Sequence, residues 1–383
     1  MNDRKKQTGQ GPQLFALVVF GSIGVICGRS VVTYTDYWLG ADAPLFLHFA
    51  VLALLLLNLF VAMFLQTVIH ESGHLIFGLL SGYRFSSFRI GNFMLLNDGN
   101  KMVIRRHSLA GTGGQCLMVP PQMHGGKMPV LLYNLGGPIM NLVTGAVFCA
   151  LYFAVPAGSP LEPFFTMAAV YGIGFALING IPMRFAAVDN DGYNAISLKK
   201  NPAALQAFWT QLTVNGENAK GIRLKDMPEN WFKMPAKEEM HNSFIAAQAV
   251  LCSSRLLDQH RFDEATELLD RLLALDSGLI GIHRNLLVCD RIYLELILKN
   301  RKEVLDSLLS DTHRKFIKSM RKFPSVIRTE YACALLVQKD IDKAKEFALL
   351  FEKVAKSFPY PSDIQAEREL MTFANQATKE VLQ

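Results

Sequence analysis

Several absences narrow what this 383-residue chain can be. It has no C-x-x-C pair and no regular cysteine spacing: Cys27, Cys116, Cys149, Cys252, Cys289 and Cys333 are scattered. That excludes a disulfide scaffold and fits reduced or buried thiols in a chain whose soluble part stays in a reducing compartment. No block of one charge sign is present, and the net charge of +6 is modest and spread out. It suits loops facing an anionic membrane surface rather than a nucleic-acid groove, so no nucleic-acid partner is expected. No clear small-residue cleavage site follows the apolar stretch from Leu14 to Cys27, so that stretch is expected to remain as an uncleaved first span over about 12–33. Most telling, residues 45–69 contain no Asp, Glu, Lys or Arg, a run long enough to cross a bilayer.

The charge that is present is concentrated in one half. Residues 12–198 are apolar and rich in Gly and Phe, whereas 199–383 are charged and read as soluble, so two domains are expected after a short polar tail over 1–11. At the end of the charge-free run stands Val68-Ile69-His70-Glu71-Ser72-Gly73-His74-Leu75, an H-E-x-x-H motif. Two histidines four apart share one face of a helix about one turn apart, so both imidazoles can hold one Zn²⁺. The intervening Glu71 is then turned towards a metal-bound water as its general base. A charged side chain at mid-membrane costs roughly 2.5–3.5 kcal/mol and usually marks function. The helix carrying the motif begins after Pro44 and runs to about Leu80, some 36 residues. At ~1.5 Å per residue it exceeds a ~30 Å hydrocarbon core, so it must tilt, break or project.

Residues 81–127 are neither a clean span nor a soluble domain. Phe85-Ser86-Ser87-Phe88-Arg89-Ile90 and Lys101-Met102-Val103-Ile104-Arg105 are expected to be short strands of a hairpin, with a turn at Asn97-Asp98-Gly99-Asn100. Such edges cannot face lipid. The pair is either an edge that takes an unfolded peptide by strand addition or an ordinary cytosolic loop. A third span, about 129–155, carries Asn134-Leu135-Gly136-Gly137-Pro138-Ile139-Met140-Asn141, whose glycines allow close helix approach. The amide of Asn141 needs a partner at membrane depth: a bound peptide, a reaction oxyanion or a neighbouring helix. The fourth span, about 163–181, ends in Asn179-Gly180-Ile181-Pro182, and Asp189-Asn190-Asp191-Gly192 follows. Lys and Arg gather before span one, between spans two and three, and after span four. The positive-inside rule then puts the N-terminus and the C-terminal half in the cytosol, and His70, His74 and Asp191 on one side of the membrane.

H-E-S-G-H on a membrane helix, G-G-P-I-M-N on a later one, and N-x-x-P followed by D-G resemble the site-2 protease family of intramembrane zinc metallopeptidases. The resemblance covers roughly residues 45–195. It implies a mainly α, polytopic bundle of about four spans with a small β-hairpin near the active site. It further implies one Zn²⁺ per chain, His70 and His74 as ligands, Glu71 as general base and an aspartate of the D-G motif as third ligand. Asp191 is assigned because it precedes Gly192. The family usually places the aspartate about eight residues after the asparagine, whereas here the interval is longer, which keeps Asp189 as a competitor. Asn141 matches the family's helix asparagine, expected to help hold the substrate or transition state. The substrate would be a transmembrane or membrane-associated peptide or protein.

The C-terminal half, 199–383, is helical by pattern. The segments starting at Asp258-Gln259-His260-Arg261-Phe262-Asp263 and Lys339-Asp340-Ile341-Asp342-Lys343-Ala344 resemble the turn and second helix of tetratricopeptide repeats. Phe262 and Ile341 lie more than two ~34-residue periods apart, so units between them would be degenerate. The expected role is a cytosolic docking surface for a protein partner, or a cap that only stabilises the membrane part. His241, His260, His283 and His313 are expected at the surface. The chain is therefore divided into a cytosolic tail (1–11), a membrane zinc metallopeptidase domain (12–198) and a cytosolic tetratricopeptide-like domain (199–383). The lack of a targeting segment points to a bacterial plasma membrane. A catalytically inactive membrane scaffold is the alternative, disfavoured because such a protein has no need of Glu71 between two histidines. A prenyl-tail protease would need a Glu ligand on a later helix, and no E-x-x-x-H stands there.

Overall fold

The computed structural model describes residues 10–40, 42–107, 112–184 and 189–381. Arg4, Lys5 and Lys6, which enter the topology expectation, lie outside the described residues. The chain forms two compact units, Met1–Gly91 with Ala110–Pro202, and Asn92–Leu109 with Ala203–Gln383. The protein is mainly helical, with two antiparallel strand pairs, one in each unit.

The first unit contains four helices long and apolar enough to cross a membrane: α1 (Gln10–Trp38), α2 (Leu45–Leu80), α3 (Leu131–Ala154) and α4 (Glu162–Gly180). Their limits follow from the backbone. Pro44 precedes α2, and the chain leaves it through Gly82 at φ 84°, a conformation that glycine adopts without strain. Pro163 stands in the first turn of α4, where its missing N–H costs nothing. Along α2 the N-terminal half points Phe46, Phe49, Leu57 and Phe60 outward, as a lipid-facing helix does, while Gln66, His70, Glu71 and His74 are buried. The helix is unbroken over all 36 residues. Gly73 and Gly136 bring α2 and α3 together: a methyl group on Gly136 would stand 2.5 Å from the Gly73 carbonyl oxygen.

Strands β1 (Arg84–Ile90) and β4 (Gly114–Val119) pair antiparallel in this unit, with Phe88 opposite Cys116 and Ile90 opposite Gly114. The short helix α5 (Asp191–Lys200) completes the unit. In the second unit, β2 (Phe93–Asn97) and β3 (Met102–Arg106) form a hairpin. The expectation that 85–90 pairs with 101–105 is corrected. The turn falls where the sequence places it, with Asp98 accepting from the Asn100 and Lys101 amides at 3.0 and 2.8 Å. It joins 102–106 to the adjacent 93–97, which leaves β1 for β4. The buried face of this hairpin, Met94 and Leu96, packs on Ala219 and Tyr360 of the helical unit.

The remaining helices of the second unit are α6 (Pro202–Ala219), α7 (Ser243–Asp258), α8 (Phe262–Ala274), α9 (Gly281–Leu298), α10 (Lys302–Leu308), α11 (Asp311–Ser319), α12 (Pro324–Cys333), α13 (Ile341–Ala355) and α14 (Pro361–Val381). A π-helical turn, Ala334–Gln338, extends α12. Three of the connections contain a non-glycine residue in the left-handed region: His260 (φ 57°), Asn300 (φ 49°) and Lys339 (φ 54°). They are regularly placed, 40 and 39 residues apart by number, and each is followed within two residues by a new helix. The 40- and 39-residue intervals are longer than the ~34 residues of a tetratricopeptide repeat. His313 departs from the expected surface position. It is buried against Phe316, with its ring 3.2 Å from Asn285 Oδ1 and 3.6 Å from Cys289 Sγ.

Candidate metal centre

The H-E-x-x-H segment is helical, so His70 and His74 present their rings from successive turns of α2, with centroids 4.8 Å apart and planes nearly perpendicular. Asp191, in the first turn of α5, supplies the third donor. Its Oδ2 lies 3.1 Å from His70 Nε2 and 3.5 Å from His74 Nε2, and the two Nε2 atoms are 3.2 Å apart. A tetrahedral ion with N and O ligands at about 2.0–2.1 Å holds its donors about 3.3 Å from one another. The three atoms match those edge lengths, and these residues can hold a metal ion.

Each imidazole is held so that Nε2 faces this point. His70 Nδ1 donates to Asn141 Oδ1 at 2.6 Å, and His74 Nδ1 donates to the Tyr133 carbonyl at 2.8 Å. Fixing the proton on Nδ1 leaves the lone pair on Nε2 for a metal. Tyr133 stands in the first turn of α3, and Pro138 further along leaves the Asn134 carbonyl without its helical donor. Gly137 leaves the room the rings occupy: a methyl there would be 2.6–2.7 Å from atoms of both.

Of the partners expected for it, Asn141 takes the neighbouring helix. It is fully buried, its Oδ1 is taken by His70, and its Nδ2 donates to the Gln66 carbonyl and to Gln66 Oε1 at 2.9 and 2.8 Å. Gln66 Nε2 in turn donates to the Ala168 carbonyl of α4 at 2.9 Å. Its side-chain amide is thus engaged inside the bundle, between His70 and Gln66.

Asp191 lies outside the apolar helices. Burial disfavours its charged form, but His74 and His70 outweigh this and hold its carboxyl below the ordinary range. Asp189, the competitor, faces away and receives Arg184 Nε at 3.2 Å. The residue between them was not legible as functional. Asn190 caps α5, accepting from Tyr193 N at 2.9 Å, while its Nδ2 donates to the Ile178 and Ile181 carbonyls at the end of α4. It ties the two helices at the point that presents Asp191.

Glu71 is buried, and its carboxylate lies on the backbone of β4 at Gly114. Arg89 of β1, only 1% exposed, secures that backbone. Its guanidinium donates to Gly91 O at 2.7 Å, Thr112 Oγ1 at 2.5 Å and Gly114 O at 3.2 Å. Tyr133 links the same strand to the ligands: its hydroxyl donates to Cys116 O at 2.9 Å, and its carbonyl takes His74. No family model, curated protein or solved structure matches the chain.

Proposed function

We propose that this chain is an intramembrane zinc metallopeptidase of the site-2 protease kind, hydrolysing peptide bonds in or near transmembrane segments of membrane proteins or peptides. The reading is carried by one observation: His70 and His74, on a helix of membrane-spanning composition, converge at tetrahedral spacing with Asp191 of α5, and Glu71 stands between the two histidines. Two neutral imidazoles and one carboxylate are the donor set of a catalytic zinc that keeps a fourth position for water. Bound there, the ion would acidify that water and polarise a peptide carbonyl.

The chain's own residues supply the rest. Glu71 takes the proton from the attacking water on a carboxylate oxygen and returns it to the leaving amine. Asn141 and the Tyr133 carbonyl keep His70 and His74 in the ligand tautomer. A helical substrate must unwind locally before its amide is exposed. Strand β4, which pairs with β1 and ends its sheet, offers an edge beside Glu71 on which an unwound segment can form main-chain hydrogen bonds. The Lys- and Arg-bearing loops favour a cytosolic N-terminus and helical domain under this proposal.

Zinc content per purified chain tests the reading. Wild type and Asp189→Ala are expected to hold about one zinc, and His70→Ala and Asp191→Ala none. Glu71→Gln should retain zinc and trap uncleaved substrate. A folded wild type without metal would overturn the proposal in favour of a membrane scaffold.

A further inference from the structure

The helical unit contains a groove of about 670 Å³ that the metal centre does not use. Its floor is apolar: Leu305 of α10, Ile317 of α11, Leu336 of the π-helical turn and Phe347 of α13 are each less than a tenth exposed. Its rim is basic. Lys302 comes from α10, Arg314 and Lys318 from successive turns of α11, and Lys343 from α13. None of these four cations is ion-paired among the described residues, and each is exposed. Two carboxylates also line the groove. Glu330 is already neutralised by Arg321, which donates to it twice at 2.6 and 2.7 Å, so only Asp306 opposes the four.

The wall of the groove is shaped by the π-helical turn. Widening the helix over Ala334–Gln338 before the left-handed Lys339 pushes Val337 outward, where it is half exposed at the groove's mouth. Single π-turns inside α-helices recur at functional sites. Here the turn is pinned by Asn300, another left-handed residue, whose Nδ2 donates to the Leu336 carbonyl at 3.2 Å.

We propose that this groove docks an acidic amphipathic peptide segment, its apolar side chains on the Leu305–Phe347 floor and its carboxylates against Lys302, Arg314, Lys318 and Lys343. Charge complementarity selects the occupant. Cations drawn from three helices surround the opening instead of converging on one point, which suits several carboxylates along a segment better than a single headgroup. The floor is recessed, so a flat bilayer surface would meet the lysines and leave the apolar residues uncovered. Helix-in-groove docking combines these two features. The inference does not depend on the metal centre.

The test uses the full chain in phosphatidylcholine nanodiscs and a fluorescein-labelled synthetic peptide with Leu at i, i+3, i+4 and i+7 and Glu at the exposed positions. Anisotropy should show saturable binding that weakens with salt. Arg314→Glu with Lys318→Glu should weaken it at least tenfold, and so should Val337→Asp, an exposed position that can change without unfolding the domain. The same peptide with Lys in place of Glu should not bind. Equal binding to wild type and the charge-reversed variant would overturn the proposal. So would capture of anionic phosphatidylglycerol vesicles, lost on charge reversal, in place of the peptide.

Discussion

Gly114 and Glu71 are in contact where β4 crosses α2: a methyl group on Gly114 would stand 2.5 Å from Glu71 Cγ and 2.6 Å from Oε1. The general base of the proposed reaction therefore rests on strand backbone, at the one position of that strand where no side chain can intervene. Gly114→Ala is expected to displace the carboxylate without touching a ligand. Zinc should remain at about one per chain, while hydrolysis of a substrate captured with Glu71→Gln should fall by about tenfold or more, as small displacements of reacting groups do. Loss of zinc in parallel with activity would show that the strand supports the ligands instead.

Asn141 fixes His70 at one remove from the proposed metal position. Asn141→Ala should weaken zinc binding by about 10–100-fold, the usual effect of removing a partner of a ligating histidine. Asn141→Asp keeps the acceptor for His70 Nδ1 but loses the donors to Gln66, and it should retain more affinity than the alanine variant. Competition with a chelator of known affinity measures both, and wild-type affinity in Asn141→Ala would remove this role.

Arg89 is a buried cation whose hydrogen bonds go to the backbone and side chain of 91–114. Arg89→Met removes the guanidinium's bonds to the Gly91 and Gly114 carbonyls and the Thr112 hydroxyl, a hydrogen bond from a charged group contributing about 1.5–3 kcal/mol. The expected outcome is faster proteolytic nicking at 112–114 and a lowered thermal midpoint, with zinc content unchanged. Identical nicking rates in wild type and variant would mean that the strand is held by other contacts.

The helical unit should lose stability as the pH rises from about 5 to 8. Asp363 and Glu367, one turn apart on α14, are each pushed up to about 7. Burial is the main cause, with Asp258 adding to it at Asp363; at Glu367 Arg328 opposes it, while Asp290, Asp363 and Asp258 reinforce it. A carboxyl raised in the folded state binds its proton more tightly than in the unfolded chain. Its stabilisation is thus complete below the ordinary carboxyl range and lost as the pH rises through about 7. At about 1.4 kcal/mol per pH unit for each carboxyl, the two together should cost several kcal/mol across that window. Amide-exchange protection in α14, corrected for intrinsic rates, measures this, and Asp363→Asn with Glu367→Gln should flatten the dependence. A slope of the opposite sign would refute it.

What the sequence made legible follows the range of the interactions. His70, Glu71 and His74 are local, related by one turn of one helix, and their pattern carries its own geometry. Asp191 could be placed on the same side of the membrane, but its preference over Asp189 depends on how Asn190 ties α4 to α5, a tertiary contact without a local signature. Asn141 was visible as a polar residue that needs a partner, and which partner it takes depends on Gln66, 75 positions away. The four apolar helices were readable from composition. The pairing of β1 with β4 was not, because two short alternating segments carry no mark of which edge they will meet. Arg89 could be placed on a strand, but nothing in its neighbours announces the carbonyls that enclose it.

The unbroken α2 has one more consequence. Its outward apolar half and its metal-binding half form a single rod of about 54 Å at ~1.5 Å per residue, with no hinge between them. Anything that tilts or shifts the lipid-embedded half must therefore carry His70 and His74 with it. Bilayer thickness, through hydrophobic mismatch, becomes a setting for the depth at which the site works. Under the proposed function, membranes of different acyl length should select different cleavage positions along one substrate helix.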